Sequence, residues 1–107
     1  MAYPILIIDD EETLRKLLVR MISLEGYMVS DVANGKSALN LLEKEEFYVV
    51  LSDIKLPDIS GVELVKHIKA LSPETEVICL TAYGTIHDGV QAIKNGAFDY
   101  LVKGDDN

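Results

Sequence analysis

The hydrophobic residues of this chain fall into short apolar runs separated by longer amphipathic stretches. Continuous apolar runs at 5–8 and 48–51, rich in β-branched residues, predict strands buried on both faces of a parallel sheet. Further strands are predicted at 28–32, 77–80 and 100–102. Between them, apolar residues recur every three or four positions, which predicts amphipathic helices whose stripes belong to the core; the stripes begin at Leu14, Ala38, Leu64 and Ile86. Strand and helix therefore alternate along the whole chain.

This alternation predicts an α/β fold: a doubly wound parallel sheet with right-handed crossovers and helices on both faces. Of the two common strand orders, the flavodoxin-like order 2-1-3-4-5 suits five strands without a glycine-rich phosphate motif. No repeat, linker or low-complexity segment interrupts the pattern, so residues 1–107 are predicted to form a single domain. The predicted order makes the first and third strands neighbours.

Acidic residues follow both of these neighbouring strands. Asp9 and Asp10 end the first, and Asp53 ends the third. Ligands of open α/β sheets bind beyond the carboxyl ends of the strands, where Thr81 and Lys103 arrive from strands four and five. Three converging carboxylates repel one another, so the site must either take up a proton or hold a cation.

The residue types in this group favour Mg²⁺ and phosphoryl chemistry. Oxygen ligands select a hard ion, and Mg²⁺ takes one or two carboxylates while accepting phosphate oxygens as further ligands. The carboxylate of Asp53 is then a nucleophile that can form an aspartyl phosphate. The ammonium group of Lys103 and the hydroxyl of Thr81 are suited to bind the phosphoryl oxygens.

Each of these residues also has an ordinary structural interpretation. The acids from Asp9 to Glu12 could favour the positive N-terminal end of the next helix, and Asp53 could be a turn residue. Thr81 could be a simple β-branched strand residue, Lys103 a solvated lysine and Tyr100 part of the core. Only their convergence at one edge of the predicted sheet favours a functional site.

Composition limits the classes of partner. The net charge is −8 and the pI is about 4.6, which argues against binding to nucleic acid or to an anionic membrane surface. The lone cysteine, Cys79, lies in an apolar run, so we expect a buried thiol in a reducing cytoplasm. The N-terminus has neither a signal peptide pattern nor a membrane span. His67 and His87 have no ligand-type neighbours at metal spacing and are interpreted as surface residues.

Together, these residues resemble the receiver domain of two-component response regulators. The resemblance spans the chain and rests on Asp9-Asp10, Asp53 with Pro57 and Gly61, Thr81-Ala82, and the segment 98–103. It implies that Asp53 accepts a phosphoryl group from the phosphohistidine of a sensor histidine kinase. It also implies that Mg²⁺ is held by Asp10, Asp53 and the backbone carbonyl of Lys55, with Asp9 acting through water.

The resemblance further implies a switch. Thr81 and Tyr100 would be the switch pair, and the surface around helix four and strand five would change its partners. Such a domain catalyses only its own phosphorylation and dephosphorylation and is not an enzyme in the usual sense. The segments 81–85 and 96–100 resemble receivers fused to enhancer-binding activators of transcription, so an effector domain or a partner protein outside this chain is expected.

Three other classes of protein would use similar residues or the same fold. An aspartate-nucleophile phosphatase of the haloacid dehalogenase type would carry D-x-D on the first strand, where this chain has adjacent Asp9-Asp10. A pseudo-receiver scaffold would usually have lost an acid, the threonine or the lysine, and all are present. A flavin-binding module would meet three acids that repel its phosphate.

The chain departs from the family pattern in two ways. Gly104 stands where the family usually has proline, and a cis bond before a non-proline residue is costly, so a trans Lys103–Gly104 bond is expected. The sequence also ends where the family's fifth helix would begin, which is expected to leave apolar surface of the first helix uncovered. We therefore expect a fragment of a longer regulator, a self-associated assembly such as a homodimer, or a destabilised monomer.

Overall fold

Five strands and four helices alternate along the chain. The computed structural model describes residues 3–82 and 84–102. The strands are β1 (Pro4–Ile8), β2 (Met28–Val32), β3 (Val49–Ser52), β4 (Glu76–Thr81) and β5 (Asp99–Val102). The helices are α1 (Glu12–Leu24), α2 (Gly35–Lys44), α3 (Gly61–Leu71) and α4 (Ile86–Lys94). Element type and order agree with the prediction, and no strand bound differs by more than one residue.

The strands form one sheet in the order β2-β1-β3-β4-β5, with every neighbouring pair parallel. This confirms the predicted flavodoxin-like topology. Ile8 at the end of β1 pairs with Ser52 at the end of β3, so the chain leaves both strands at the same edge. The backbone amide of Asp53 continues the ladder by donating to the carbonyl of Ile8 at 2.9 Å. The edge at which the acids were expected is therefore formed by β1 and β3 together.

The main core cluster lies between the sheet and α2 and α3, and it includes Ala92 of α4. Leu6 and Ile8 of β1 are fully buried and belong to one cluster with Leu64, Val65 and Ile68 of α3. The expectation of a continuous buried run at 48–51 is wrong, because Tyr48 precedes β3 and is 59% exposed. Within β3, buried and half-buried residues alternate. One face of this strand is thus packed in the core cluster and the other is less covered.

The prediction that all four helix stripes are core holds only for α2 and α3. Helix α1 has no buried residue, and its Leu17 and Met21 are 50% and 54% exposed. On α4, Ile86 is 88% exposed while Ala92 is fully buried. The helical spacing of apolar residues indicates that one face of the helix is apolar, but it does not specify what covers that face. The expectation that the first helix exposes apolar surface is confirmed.

The helix ends carry residues suited to capping. The side chain of Asn34 accepts a hydrogen bond from the amide of Ser37 and caps α2. Gly26 and Gly96 follow α1 and α4 with φ values of +98° and +112°, a region in which glycine carries no Cβ penalty. The side chain of Ser60 caps α3 by accepting a hydrogen bond from the amide of Val62.

The predicted surface positions of the two histidines and the predicted burial of the cysteine are confirmed. His67 and His87 are exposed, and Cys79 is fully buried. Burial, reinforced by the charge of Asp53, raises the pKa of the Cys79 thiol to about 11, so the thiol is protonated at neutral pH. Over the part of the chain described, no helix combines the length and apolar character needed to cross a bilayer.

Candidate metal and phosphoacceptor site

Three carboxylates meet at the carboxyl edge of the sheet. Asp9, Asp10 and Asp53 each offer one oxygen, and these oxygens all lie within 4.8 Å of one another. Asp9 is buried, Asp53 is half-buried and Asp10 is exposed. Residues 44 positions apart in the sequence are thus neighbours, because β1 and β3 pair directly. The predicted convergence of the acids is confirmed.

The β1–α1 turn is held in place by hydrogen bonds to Asp9. One carboxylate oxygen of Asp9 accepts from the amide of Glu11 at 2.9 Å, and its backbone carbonyl accepts from Nη1 of Arg15 at 2.8 Å. The same guanidinium donates through Nε to Asp31 of β2 at 2.7 Å. Burial raises the pKa of the Asp31 carboxyl, but hydrogen bonds from Arg15 and Lys16 outweigh it and hold the pKa below its ordinary value. Arg15 therefore ties the turn that carries the acids to the edge strand.

The loop after β3 is closed on itself. The amide of Lys55 donates to Oδ1 of Asp53 at 3.2 Å, and the amide of Gly61 donates to the carbonyl of Ile54 at 2.7 Å. Lys55 and Ser60 form an isolated antiparallel bridge across the loop. These contacts fix the backbone next to Asp53, including the residue whose carbonyl was predicted to bind the metal.

Gly61 is required in this loop because of close packing rather than for backbone freedom. Its φ is not positive. A Cβ on Gly61 would instead overlap the carbonyl oxygen of Asp53 and lie 2.5 Å from Cα of Ile54. No side chain fits at this position, because the first residue of α3 packs directly against the backbone of Asp53 and Ile54.

Asp58 contributes to this loop and was missed at the sequence level. Its two carboxylate oxygens accept from the amides of Gly35 and Lys36, at 3.0 and 2.9 Å. These hydrogen bonds lower the pKa of the Asp58 carboxyl. No local signal could have revealed them, because the partners lie more than 20 residues upstream in the chain.

The predicted switch residues lie on β4, which pairs with β3, and on β5, which pairs with β4. Ser52 pairs with Cys79, so Thr81 follows at the same edge, where it is buried. Tyr100 of β5 packs against the core cluster, and its hydroxyl accepts from the amide of Thr85 at 3.1 Å. Burial raises the pKa of the Tyr100 phenol. Lys103, the predicted phosphoryl-binding lysine, and its bond to Gly104 lie outside the described residues.

The ring of Tyr100 borders an apolar groove between α4 and β5. The groove has a volume of about 630 Å³, and its lining includes Gly84, Gly89, Ile86, Val90, Ile93 and Val102. A Cβ on Gly89 would lie 2.9 Å from Cδ2 of the Tyr100 ring. Because Gly89 has no side chain, the Tyr100 ring can pack closely against this part of α4.

The donor set fits a hard divalent cation. Three carboxylate oxygens within 4.8 Å of one another can face a single ion, and all-oxygen coordination is the preference of Mg²⁺. The partial exposure of the site leaves room for the waters that Mg²⁺ retains and for phosphoryl oxygens. When bound, the ion would neutralise the charge that gathers on a transferring phosphoryl group.

Comparison with known proteins agrees with this geometry. Residues 5–107 match the family model of the response regulator receiver domain. The chain is 42% identical over 98 residues to the response regulator protein PilR of Pseudomonas aeruginosa, covering 92% of this chain. It is 37% identical over 102 residues to the C4-dicarboxylate transport transcriptional regulatory protein DctD of Rhizobium meliloti, covering 95%. The chain spans only 22% of the length of either relative.

Three solved structures carry the same fold. A response regulator from Burkholderia pseudomallei, with a phosphorylated aspartic acid and a calcium ion, has a TM-score of 0.92 at 35% identity, covering 97% of this chain and 61% of that one. TrrA from Thermotoga maritima, in complex with Mg²⁺ and BeF, has a TM-score of 0.87 at 33% identity, covering 97% and 88%. The beryllofluoride-activated NtrC4 receiver domain dimer has a TM-score of 0.89 at 32% identity, covering 96% and 85%.

The chain belongs to the receiver domain family of response regulators. It is a phosphoacceptor domain of two-component signalling, and its three carboxylates are of the type that suits the Mg²⁺ found in the TrrA structure. It is a signalling domain that receives a phosphoryl group rather than an enzyme that turns over substrate.

The clustered acids predict that Asp10→Asn stabilises the metal-free protein. Removing one of three like charges within 4.8 Å relieves about 1 kcal/mol of repulsion in water, which raises Tm by roughly 5 °C. The same substitution replaces one carboxylate of the metal site by a neutral amide and so weakens Mg²⁺ binding. Most of the Tm increase that Mg²⁺ gives the wild type should therefore be lost. Calorimetric melting with EDTA and with Mg²⁺ measures both effects.

The control for this experiment is Glu74→Gln, which makes the same change of charge just before β4 begins, at the opposite edge of the sheet. It should leave the Mg²⁺-dependent increase in Tm unchanged. A metal-free Asp10→Asn variant that melts at or below the wild-type temperature would contradict the repulsion argument.

Proposed function

We propose that Asp53 is the residue that takes the phosphoryl group. The observation that carries this assignment is the convergence of the Asp9, Asp10 and Asp53 carboxylates within 4.8 Å. Among them, only Asp53 also lies on the closed loop, where the amide of Lys55 donates to its carboxylate. Asp53 is half-buried, which limits water access while leaving the residue partly exposed to an incoming donor.

The proposed metal ligands are the carboxylates of Asp10 and Asp53 and the backbone carbonyl of Lys55. Asp9 is buried beside them and would act through a water molecule. In the transfer, a carboxylate oxygen of Asp53 forms the new bond to phosphorus as the bond between phosphorus and the imidazole nitrogen of the donor histidine breaks. The imidazole keeps the electron pair of that bond and takes a proton. The chain's contribution is alignment and charge neutralisation, which dominate phosphoryl transfer.

Thr81 and Tyr100 are proposed to convert phosphorylation into a change of surface. Phosphorylation adds about −1.5 to −2 charge and three acceptor oxygens. Thr81 stands at the edge where this charge appears, and its hydroxyl and the ammonium group of Lys103 are the proposed donors to the phosphoryl oxygens. Displacement of Thr81 would alter the space next to Tyr100, whose ring borders the groove between α4 and β5. A change in that groove would change which partners bind there.

The partners follow from this role. A sensor histidine kinase would supply the phosphoryl group in the cytoplasm, where ATP is available to the kinase. Residues 1–107 are proposed to be one receiver domain of a longer regulator of transcription, of the enhancer-binding class. Because the net charge of residues 1–107 is −8, this domain is poorly suited to bind DNA. DNA binding is therefore proposed to belong to another part of that regulator. A homodimer is proposed as one way to cover the exposed apolar residues of α1 or of the groove.

Incubation with acetyl phosphate tests the proposed chemistry without the kinase. Intact-mass measurement is expected to show the gain of one phosphoryl group when Mg²⁺ is present and none when EDTA replaces it. Hydroxylamine, which cleaves acyl phosphates, should remove the added mass. A phosphoryl group that survives hydroxylamine would lie on a hydroxyl side chain and would contradict the proposal, as would no gain in mass.

A further inference from the structure

The loop after the phosphoacceptor strand is joined to a distant helix by one side chain. Asp58 lies at the outer part of this loop, and its carboxylate forms a fork on the first turn of α2: Oδ1 accepts from the amide of Gly35 and Oδ2 from the amide of Lys36. The first amides of a helix have no partner within the helix. Asp58 therefore satisfies two of them from a segment more than 20 residues away.

Packing reinforces this junction. Ile59, the next residue of the loop, lies so close to Gly35 that a Cβ on the glycine would overlap Cγ2 of Ile59. The first residue of α2 is buried under the loop. A carboxylate at a helix N-terminus is also favoured by the helix dipole and by charge-assisted hydrogen bonds. Polar and apolar contacts thus hold the loop and the helix end together.

The other side of the loop carries the proposed metal ligand. Lys55 and Ser60 are bridged across the loop, so a displacement at residues 58 and 59 is passed to Lys55. The backbone amide of Lys55 contacts the Asp53 carboxylate, and its carbonyl is the proposed ligand of Mg²⁺. The contact between Asp58 and α2 therefore bears on the orientation of a group that would bind the metal.

We propose that Asp58 is a positioning residue for the Mg²⁺ site, which it supports by fixing the loop between β3 and α3 to the first turn of α2. This inference rests on the proposed metal ligands. Asp58 does not touch the metal in this account and acts only through the backbone of the loop. Its loss is expected to weaken metal binding while leaving the phosphoacceptor itself in place.

The test compares Asp58→Ala with the wild type by calorimetric titration of Mg²⁺. Partners that orient a metal ligand typically contribute 10- to 100-fold in affinity. Because Asp58 is exposed and acts through a backbone carbonyl, we expect Kd to rise by about fivefold to tenfold. The rate of phosphorylation by acetyl phosphate at saturating Mg²⁺ should stay within about twofold of the wild type, since the residues proposed for transfer are unchanged.

Two further variants separate positioning from stability and from charge. Asn34→Ala removes the other side-chain cap of α2, from the amide of Ser37, and leaves the loop untouched; it should lower Tm without changing the Kd for Mg²⁺. Asp58→Asn removes the charge but keeps one acceptor oxygen of similar reach, so its Kd should be intermediate.

Each other outcome counts against the proposal. An unchanged Kd in Asp58→Ala overturns it. Equal weakening in Asp58→Asn and Asp58→Ala would show that charge alone matters, and equal weakening in Asn34→Ala would show that α2 stability matters; either result overturns it. If the wild type itself binds no Mg²⁺, the proposed metal ligands fail, and that failure is visible before any variant is measured.

Discussion

Asp53→Asn is expected to abolish phosphorylation by acetyl phosphate, leaving no detectable gain in mass at saturating Mg²⁺. An amide oxygen is neutral and a poor nucleophile, so the new bond to phosphorus cannot form at a useful rate. The fold should survive, because asparagine is close in size to aspartate and its carbonyl oxygen can still accept from the amide of Lys55, as Oδ1 of Asp53 does at 3.2 Å. Intact-mass measurement and a thermal melt on the same sample separate the two effects.

Asp99→Asn is the matched control, since it makes the same chemical change at the start of β5, away from the carboxyl edge of the sheet. It should be phosphorylated like the wild type. A hydroxylamine-sensitive phosphoryl group on the Asp53→Asn variant would show that another carboxylate is the acceptor and would disprove the assignment.

Gly61→Ala is expected to have the largest effect on stability. The added methyl group would overlap the carbonyl oxygen of Asp53 and approach Cα of Ile54 to 2.5 Å. Both neighbours are backbone atoms, so no side-chain rotation can relieve the contact. Overpacking of this kind costs roughly 3 kcal/mol, which corresponds to a fall in Tm of about 15 °C. Because the strain falls on Asp53 itself, the folded fraction should also be phosphorylated more slowly.

The comparison for Gly61 is Gly26→Ala. Gly26 has a φ of +98° but no atom within 4 Å of the position a Cβ would take, so alanine there costs only the backbone strain, about 1 kcal/mol. Urea unfolding of both variants measures how much more the free energy of unfolding falls in Gly61→Ala, where the added methyl group contacts the backbone. If Gly61→Ala is no less stable than Gly26→Ala, the close approach of α3 to the Asp53 backbone does not limit the fold.

The four helices show clearly which features follow from local sequence and which depend on the tertiary structure. The apolar period identified all four helices because it depends only on the local spacing of side chains. It could not tell that α2 and α3 bury their stripes while α1 and α4 leave theirs largely open. Coverage depends on which elements lie opposite, and that is a property of the tertiary structure.

At the carboxylate site, too, some features follow from the sequence and others only from the tertiary structure. The sequence by itself determined the strand order and the positions of Asp9, Asp10 and Asp53 at strand ends, because parallel pairing leaves few topologies for five alternating strands. The tertiary structure alone decided the contacts of Asp58 with α2 and the close approach of α3 at Gly61. Those contacts join segments whose separation along the chain carries no periodic signal, and they exist only once the sheet has brought the loops together.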